Sequence, residues 1–432
     1  DNAAEALKAL AMNDDEWAAH IAARAPSHER PVIDFITVQN SSSLPTKMVR
    51  SLIHQKVGEE IDEDRLADDL TRIYGTGYFD RVEYQMVEDN GELGIRVEAA
   101  ERAVGKRFVK FGISLSDDFS GNNNYNLAAS YTELGLNDMG AEWRNRLQVG
   151  DVLGLGTELY QPLDLTQKYF VIGSLTLGRV VRGLTNDVGV TVADATISDG
   201  TVRLGVGRNL SNIGRLTVGM EREIARASIK TPEVELPTFS VHSTNFFARI
   251  EADTLDNVNF PHSGSQFQLE YKDGQTILGG ESDVNTLEGL FTHTYSWGRN
   301  TLTGFVNGGL AYGGNETEAD NFSLGGFLNL SGLRANQISG RYYGVGGFAY
   351  YRRVNEGGIA SLFGVPVYAG FSLEAGNTWN NADDIAFSSL RYGGSLFVGA
   401  DTPLGPLYLG SGYTRGQADD QFSAFMYLGQ PF

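Results

Sequence analysis

Beyond Lys106 the chain alternates apolar and polar residues with a period of two, and the rhythm continues to the end at Phe432. Tyr125, Leu127, Ala129 and Tyr131 fall on one face of such a run, with Asn124, Asn126 and Ser130 on the other. Trp143, Leu147 and Val149 alternate with Glu142, Arg144, Arg146 and Gln148. Leu216, Val218 and Met220 alternate with Arg215, Thr217 and Glu221, and Phe267, Leu269 and Tyr271 with Gln266, Gln268 and Glu270. This period marks strands, because successive side chains leave opposite faces of a sheet. The pattern predicts about sixteen strands of ten or more residues in roughly 330 residues. A soluble sandwich alternates too, and periodicity alone does not separate the two folds. The strand number favours a transmembrane antiparallel β-barrel, with apolar faces toward lipid and polar faces toward a lumen. In lipid the sheet must close, since each unpaired edge group costs on the order of several kcal/mol.

The N-terminal part reads differently. Residues 1–26 predict helix: Ala, Leu, Glu and Lys dominate Ala3–Ala11, Asn13-Asp14-Asp15 resembles a helix start, and Pro26 stops it. We read residues 1–30 as a helical linker. Residues 31–102 predict one compact β-α-α-β-β domain. Val32–Val38 reads as a strand, a helix with Pro45 in its first turn runs to about Lys56, and Asp62 caps a second helix over Glu63–Tyr74. Gly75-Thr76-Gly77 ends that helix, and Asn90-Gly91 joins strands Arg81–Val87 and Leu93–Ala99 as a hairpin. Residues 103–432 make up the barrel.

Composition narrows the class. No run of eighteen apolar residues occurs, so the sequence holds no transmembrane helix. The 53 Gly, 19 Tyr and 23 Phe suit a sheet with tight turns and aromatic girdles. Cys is absent, which removes disulfides and thiolate chemistry. The formal charge of −20 leaves no basic face for nucleic acid. Asp1 is not a start Met and no signal peptide follows, so the chain reads as a mature or trimmed fragment.

Residues 58–79, GEEIDEDRLADDLTRIYGTGYF, closely resemble the signature of the polypeptide-transport-associated (POTRA) domain. The matching positions include Gly58, Ile61, Asp62, Leu66, Asp69, Leu70, Ile73, Tyr74, Gly77, Tyr78 and Phe79. The barrel resembles the outer-membrane translocator superfamily of BamA-like and FhaC-like proteins. Asp253, Asp256, Phe260, Pro261 and Gly264 match its D-x-x-D…F-P-x-x-G segment, and Pro403, Gly405 and Pro406 a turn between late strands. The chain ends on a strand Phe422–Phe432, and a C-terminal aromatic, Phe432, suits a final barrel strand. Phe327–Gly340 is similar to the superfamily's inward-folded loop, placed at about 314–341, with Arg334 at the tip; Ala335 and Asn336 replace the usual Gly and aromatic. The resemblance implies that Arg334 pairs with Glu374 inside the lumen, an arrangement a planar guanidinium suits. One POTRA domain behind a helical stretch is most similar to the patatin-like phospholipase autotransporters of type V secretion in Gram-negative bacteria.

The resemblance implies an outer-membrane translocator with its POTRA domain in the periplasm, serving a covalently linked N-terminal passenger, a patatin-like lipase. Outer-membrane lipid, barrel-assembly machinery and periplasmic chaperones are the implied partners. The alternative is an assembly factor that inserts other outer-membrane proteins. The fragment itself reads as no enzyme: it holds no G-x-S-x-G, and its six His, among them His20, His28 and His293, lack metal-ligand spacing. No cofactor or metal is expected.

Overall fold

The computed structural model describes residues 13–23, 30–42, 44–119, 123–185, 191–230, 238–281, 283–314, 322–354, 364–416 and 420–429. The proposed helix over Ala3–Ala11 and the terminal Phe432 lie outside the described residues. Helix α1 (Asp14–Ala23) starts on the expected polar triplet. The Asn13 side chain accepts the Glu16 N–H at 2.8 Å, and the Glu16 carboxylate accepts the Asn13 N–H at 3.1 Å, so both orphan donors are satisfied.

The small domain contains β1 (Phe35–Asn40), α2 (Thr46–Ser51), α3 (Glu63–Gly75), β2 (Phe79–Asp89) and β3 (Glu92–Glu101). Its sheet order is β1-β3-β2, with β1 parallel and β2 antiparallel to β3. Asp62 caps α3 as expected, accepting the Arg65 N–H at 3.0 Å. Leu66 and Ile73, a helix face in the sequence, are buried against Met48, Val49 and Ile95, with Leu70 packed alongside. Tyr74, next to Ile73 at the margin of this face, is exposed. Asn90 and Gly91 both take positive φ, as a tight two-residue hairpin requires.

Two boundaries differ from the sequence reading. Helix α2 ends at Ser51 rather than near Lys56, because the next backbone N–H groups find a better acceptor. The buried Asp69 carboxylate accepts the His54 and Gln55 N–H groups at 2.6 and 3.1 Å and pairs with Arg72 at 2.8 Å. The first strand begins at Phe35, and Val32 instead bridges to Glu60.

Sixteen strands close into an antiparallel barrel. In chain order these are β4 (Arg107–Asp117), β5 (Asn123–Glu133), β6 (Glu142–Gly150), β7 (Val152–Pro162), β8 (Tyr169–Thr185), β9 (Thr191–Leu210), β10 (Gly214–Lys230) and β11 (Phe239–Asp253). They continue with β12 (Gly264–Gly274), β13 (Asn285–Trp297), β14 (Asn300–Tyr312), β17 (Tyr342–Arg353), β18 (Val367–Trp379), β19 (Arg391–Thr402), β20 (Gly405–Arg415) and β21 (Asp420–Leu428). A short hairpin of β15 (Phe322–Leu324) and β16 (Ile338–Gly340) lies within the connection between β14 and β17. Leu127, Trp143, Leu147, Leu216 and Phe267 all face outward and are exposed, so the apolar face of the alternation is the barrel exterior. Polar residues such as Thr217, Glu221 and Thr414 point inward and are buried.

Closure is uneven. Strands β4 and β5 pair over the whole of β4, whereas among the described residues the closing pair β21–β4 is joined at Met426–Asp117, Tyr427–Ser116 and Leu428–Leu115. The small domain sits against the barrel end that carries the β5–β6, β7–β8 and β9–β10 turns. Leu134 and Leu165 from those turns complete its core, Tyr78 Oη donates to the Gly140 carbonyl at 3.3 Å, and Ser51 Oγ donates to the Leu165 carbonyl at 3.0 Å.

Candidate functional site: the lumen and its anchored loop

Connections alternate between the two barrel ends, so the β14–β17 connection starts at the end far from the small domain. From there the loop turns into the lumen. Leu324, Leu330 and Leu333 are buried against Val345 of β17. Leu328 and Leu330 hold positive φ angles of 58° and 70°, which side chains of this size adopt only when their surroundings impose it. The tip then lies directly on the wall: a Cβ at Gly332 would sit 2.1 Å from the Thr414 nitrogen, and one at Gly412 2.1 Å from the Ser331 carbonyl oxygen. Only glycine fits at both points of contact.

Glu374 of β18 forms the anchor. It is buried and accepts the Ser331 N–H at 2.7 Å, the Ser331 hydroxyl at 2.5 Å and the Ser372 hydroxyl at 2.5 Å. Ser423 Oγ donates to the Ser331 carbonyl at 2.7 Å, and the Gly332 N–H to Thr414 Oγ1 at 2.9 Å. The resemblance had assigned this role to Arg334. In the structure Arg334 is exposed beyond the tip, with its backbone N–H on Gln337 Oε1, and does not meet Glu374. The reason is local: the Leu330–Leu333 turn presents Ser331 to the carboxylate, and Ser331, Ser372 and their neighbours satisfy it without a cation.

A second intrusion comes from the end near the small domain. The β11–β12 turn carries Asp253, Asp256, Phe260, Pro261 and Gly264, which the structure brings together. Asp253 accepts the Leu255 N–H at 2.9 Å, and Asp256 accepts the His262 and Ser263 N–H groups at 2.8 and 3.1 Å. Burial raises the Asp256 pKa, but these backbone donors outweigh it and hold the carboxyl below its ordinary value. The turn thereby aims Phe260 across the barrel mouth. Its buried ring stacks on Tyr368 at 4.4 Å and lies 5.0 Å from Tyr408. Asn259 Nδ2 donates to Asp401 at 2.8 Å, and Tyr351 Oη donates to the Pro261 carbonyl. On the far side of Tyr408, at 5.0 Å, lies Phe327 of the lumen loop. Tyr408 therefore stands between the two intrusions. Pro403, Gly405 and Pro406 build the adjoining β19–β20 turn, with Gly405 at φ 107° and the Pro406 carbonyl accepting the Gly429 N–H at 2.9 Å.

The opposite wall is open and charged. Arg203 pairs with Glu221 at 2.5 Å and Glu270 at 3.1 Å, Lys272 with Glu221 at 2.8 Å, Arg249 with Glu251 at 2.7 Å, and Arg144 with Glu142 and Glu158 at 2.5 and 2.9 Å. Below this wall a cavity of about 900 Å³ runs between the small domain and the barrel interior, lined by Arg72, Thr76, Arg144, Lys168, Arg215 and Glu251 among others. The lumen is thus divided into a half filled by loop and aromatics and a half lined by ion pairs.

Of the expected site residues, Gly58 and Gly77 occupy positive-φ turns, and Tyr78 and Phe79 are core residues of the small domain. Sequence reasoning missed Ser331, Ser372, Thr414 and Ser423, whose signal was small inward positions facing Gly393 and Gly412. It also missed the Phe327–Tyr408–Phe425 cluster.

Comparison with known families and folds fits this architecture. Residues 96–426 match the Omp85 superfamily domain, and residues 31–102 match the POTRA family described as a surface antigen variable number repeat. A search of curated proteins found no match. Among solved structures, BamA from Haemophilus ducreyi lacking POTRA domains 1–3 aligns with a TM-score of 0.64 at 14% identity, over 94% of this chain and 86% of that one. CdiB from Escherichia coli aligns with a TM-score of 0.63 at 12% identity, over 93% and 77%. CdiB from Acinetobacter baumannii gives 0.59 at 10% identity, over 92% and 74%. At these identities the structures report the fold alone, while the family match covers well over half of the chain. The chain belongs to the Omp85 superfamily: it is an outer-membrane β-barrel with one POTRA domain in the periplasm.

Proposed function

We propose that the barrel and its POTRA domain secrete or display a passenger linked to the N-terminus of this chain, a patatin-like lipase by the resemblance of the single POTRA domain and its preceding helix. The observation that carries the reading is the cavity, lined by charged and polar side chains, that joins the POTRA domain to the charged half of the lumen. A polypeptide in transit needs water or protein partners for its amides, and a wall of ion pairs and hydroxyls provides both. Strand addition along an open edge of the POTRA sheet, β1 or β2, would hold an extended segment through backbone hydrogen bonds. The lumen loop and the Phe260 turn then act as the parts that fill the barrel at rest. The test fuses a reporter domain upstream of Asp1 and measures its protease sensitivity on intact cells. Surface exposure that disappears when the POTRA domain is deleted supports the reading; a reporter that stays in the periplasm with the complete chain refutes it.

One observation favours the second reading, an assembly factor: among the described residues three register pairs join β21 to β4, against eleven between β4 and β5. The chain holds no Cys, so a Leu115→Cys/Leu428→Cys pair across that seam forms a clean lock. If oxidation stops insertion of other barrels while reporter display persists, the assembly reading wins.

A further inference from the structure

The exterior of β8–β11 changes character toward the extracellular end. Following the pairing across the sheet, one outward row reads Leu177–Gly200–Ile224–His242, and the next row reads Arg179–Ser198–Arg226–Ser240. Their outward direction follows from the neighbours on the same faces, since Leu175, Leu177, Val202, Leu204, Val218 and Ile224 are all exposed. Arg179 and Arg226 are themselves exposed, and neither makes a hydrogen bond or ion pair among the described residues. With two strand spacings between them, their Cα atoms lie about 10 Å apart, with Ser198 between.

Height places the row. A barrel strand crosses the hydrocarbon in about 9–11 residues. Arg179 lies about ten residues beyond Tyr169 at the periplasmic end of β8, and Arg226 about twelve beyond Gly214 at that end of β10, which puts both at the outer-leaflet boundary. The strands continue past this row to Thr185 and Lys230, so the row is a step in a rising wall rather than its rim. A third cation, Arg222, sits four residues below Arg226 on the same face. Its partners are neutral, Thr244 Oγ1 at 2.7 Å and the Gly279 carbonyl at 2.9 Å, so its charge is not compensated. Two acids of β12 and the connection after it are engaged with neutral donors: Glu281 accepts the His242 N–H at 3.2 Å, and Asp273 accepts from Gln275 Nε2 at 2.8 Å. Among the residues of β8–β11 whose side chains are described, the outward row and the row below it carry no acid.

In a chain of net charge −20 this face is locally positive. Guanidinium groups on a barrel's lipid face are tolerated at the lipid boundary, where anionic headgroups lie, and a phosphate suits two guanidinium forks. We infer that Arg179 and Arg226 clamp a phosphate of an outer-leaflet lipid headgroup, with the acyl chains lying on the Leu177–Ile224 row and Arg222 adding charge beneath. The site is independent of what the barrel carries.

The experiment uses the full chain in neutral detergent and native mass spectrometry. It compares a diphosphorylated disaccharide glycolipid, the same glycolipid without phosphates, and inorganic phosphate. The wild-type chain retains the phosphorylated glycolipid at least tenfold better than the dephosphorylated one, and inorganic phosphate at equal concentration does not displace it. Arg179→Gln/Arg226→Gln loses that preference, while Arg415→Gln, an outward arginine on β20, keeps it. Equal retention of the two glycolipids by the wild-type chain overturns the proposal without reference to any variant. So does an unchanged preference in the double variant, or full competition by inorganic phosphate. Should the Gln variant fail the heat-modifiability check for folding, Arg179→Lys/Arg226→Lys replaces it and is expected to weaken retention partially, because an ammonium lacks the fork; unchanged retention by this variant counts against the clamp.

Discussion

Replacing Glu374 with Gln perturbs the lumen loop with almost no change in volume. Three donors converge on the carboxylate: the Ser331 N–H, the Ser331 hydroxyl and the Ser372 hydroxyl. An amide keeps one acceptor oxygen and turns a donor toward the other position. Ser372 can turn to Ser395 Oγ, already at 2.7 Å, but the Ser331 backbone N–H cannot turn. A buried N–H left without an acceptor costs about 1–3 kcal/mol, and each lost bond to a charged group about 1.5–3 kcal/mol. Neutralising a buried carboxylate recovers part of its desolvation cost. The net loss of anchoring is therefore about 2 kcal/mol, close to a thirtyfold shift toward a released loop. Single-channel recording in planar bilayers reads this as more frequent opening, and proteolysis of the protein in liposomes reads it as faster cleavage within the loop. Glu374→Asp, which keeps the charge on a shorter stem, falls between. If Glu374→Gln opens no more often than wild type and its loop is cut no faster, the anchor assigned to Glu374 is wrong.

Three further outcomes follow from the same geometry. Phe260→Ala empties a ring site between Tyr368 and Tyr408, at about 3–5 kcal/mol for a buried phenylalanine; the temperature at which the folded band converts on a gel should fall and basal conductance rise. Asp69→Asn puts an amide donor against the His54 and Gln55 N–H groups and strips Arg72 of its partner, roughly 3 kcal/mol in the POTRA domain. Limited proteolysis of the full chain should cut between α2 and α3 first, and unchanged protection there would remove Asp69 from its role. For Asp256 the folded pKa lies below the unfolded value of about 3.9, so its contribution is present above that pH and is lost as pH falls through the lower folded value. The side chain is 43% exposed, which limits the effect to under about 1 kcal/mol. Hydrogen exchange at the His262 and Ser263 amides should quicken below about pH 4 in the wild-type chain, and Asp256→Asn should show the quicker exchange already at neutral pH.

Local chemistry was legible in the sequence wherever a signal spans only a few residues. Asp62 as a cap, Asn90-Gly91 as a hairpin, the Leu66–Leu70–Ile73 face and the two-residue rhythm of the barrel each depend on backbone geometry within one turn or one strand. Closure into sixteen strands followed from that rhythm, because lipid leaves no tolerable edge. What the tertiary structure decided lies between segments far apart in the chain. The anchor passed from Arg334 to Ser331 because the loop's entry angle, set by Leu324, Leu330 and Val345, determines which tip residue reaches β18. The meeting of Phe260 and Phe327 on Tyr408 joins three segments that no periodicity connects. Alternation says which side of the wall a residue faces. It carries no information about which residues fill the lumen, since that depends on register and strand order around the closed cylinder.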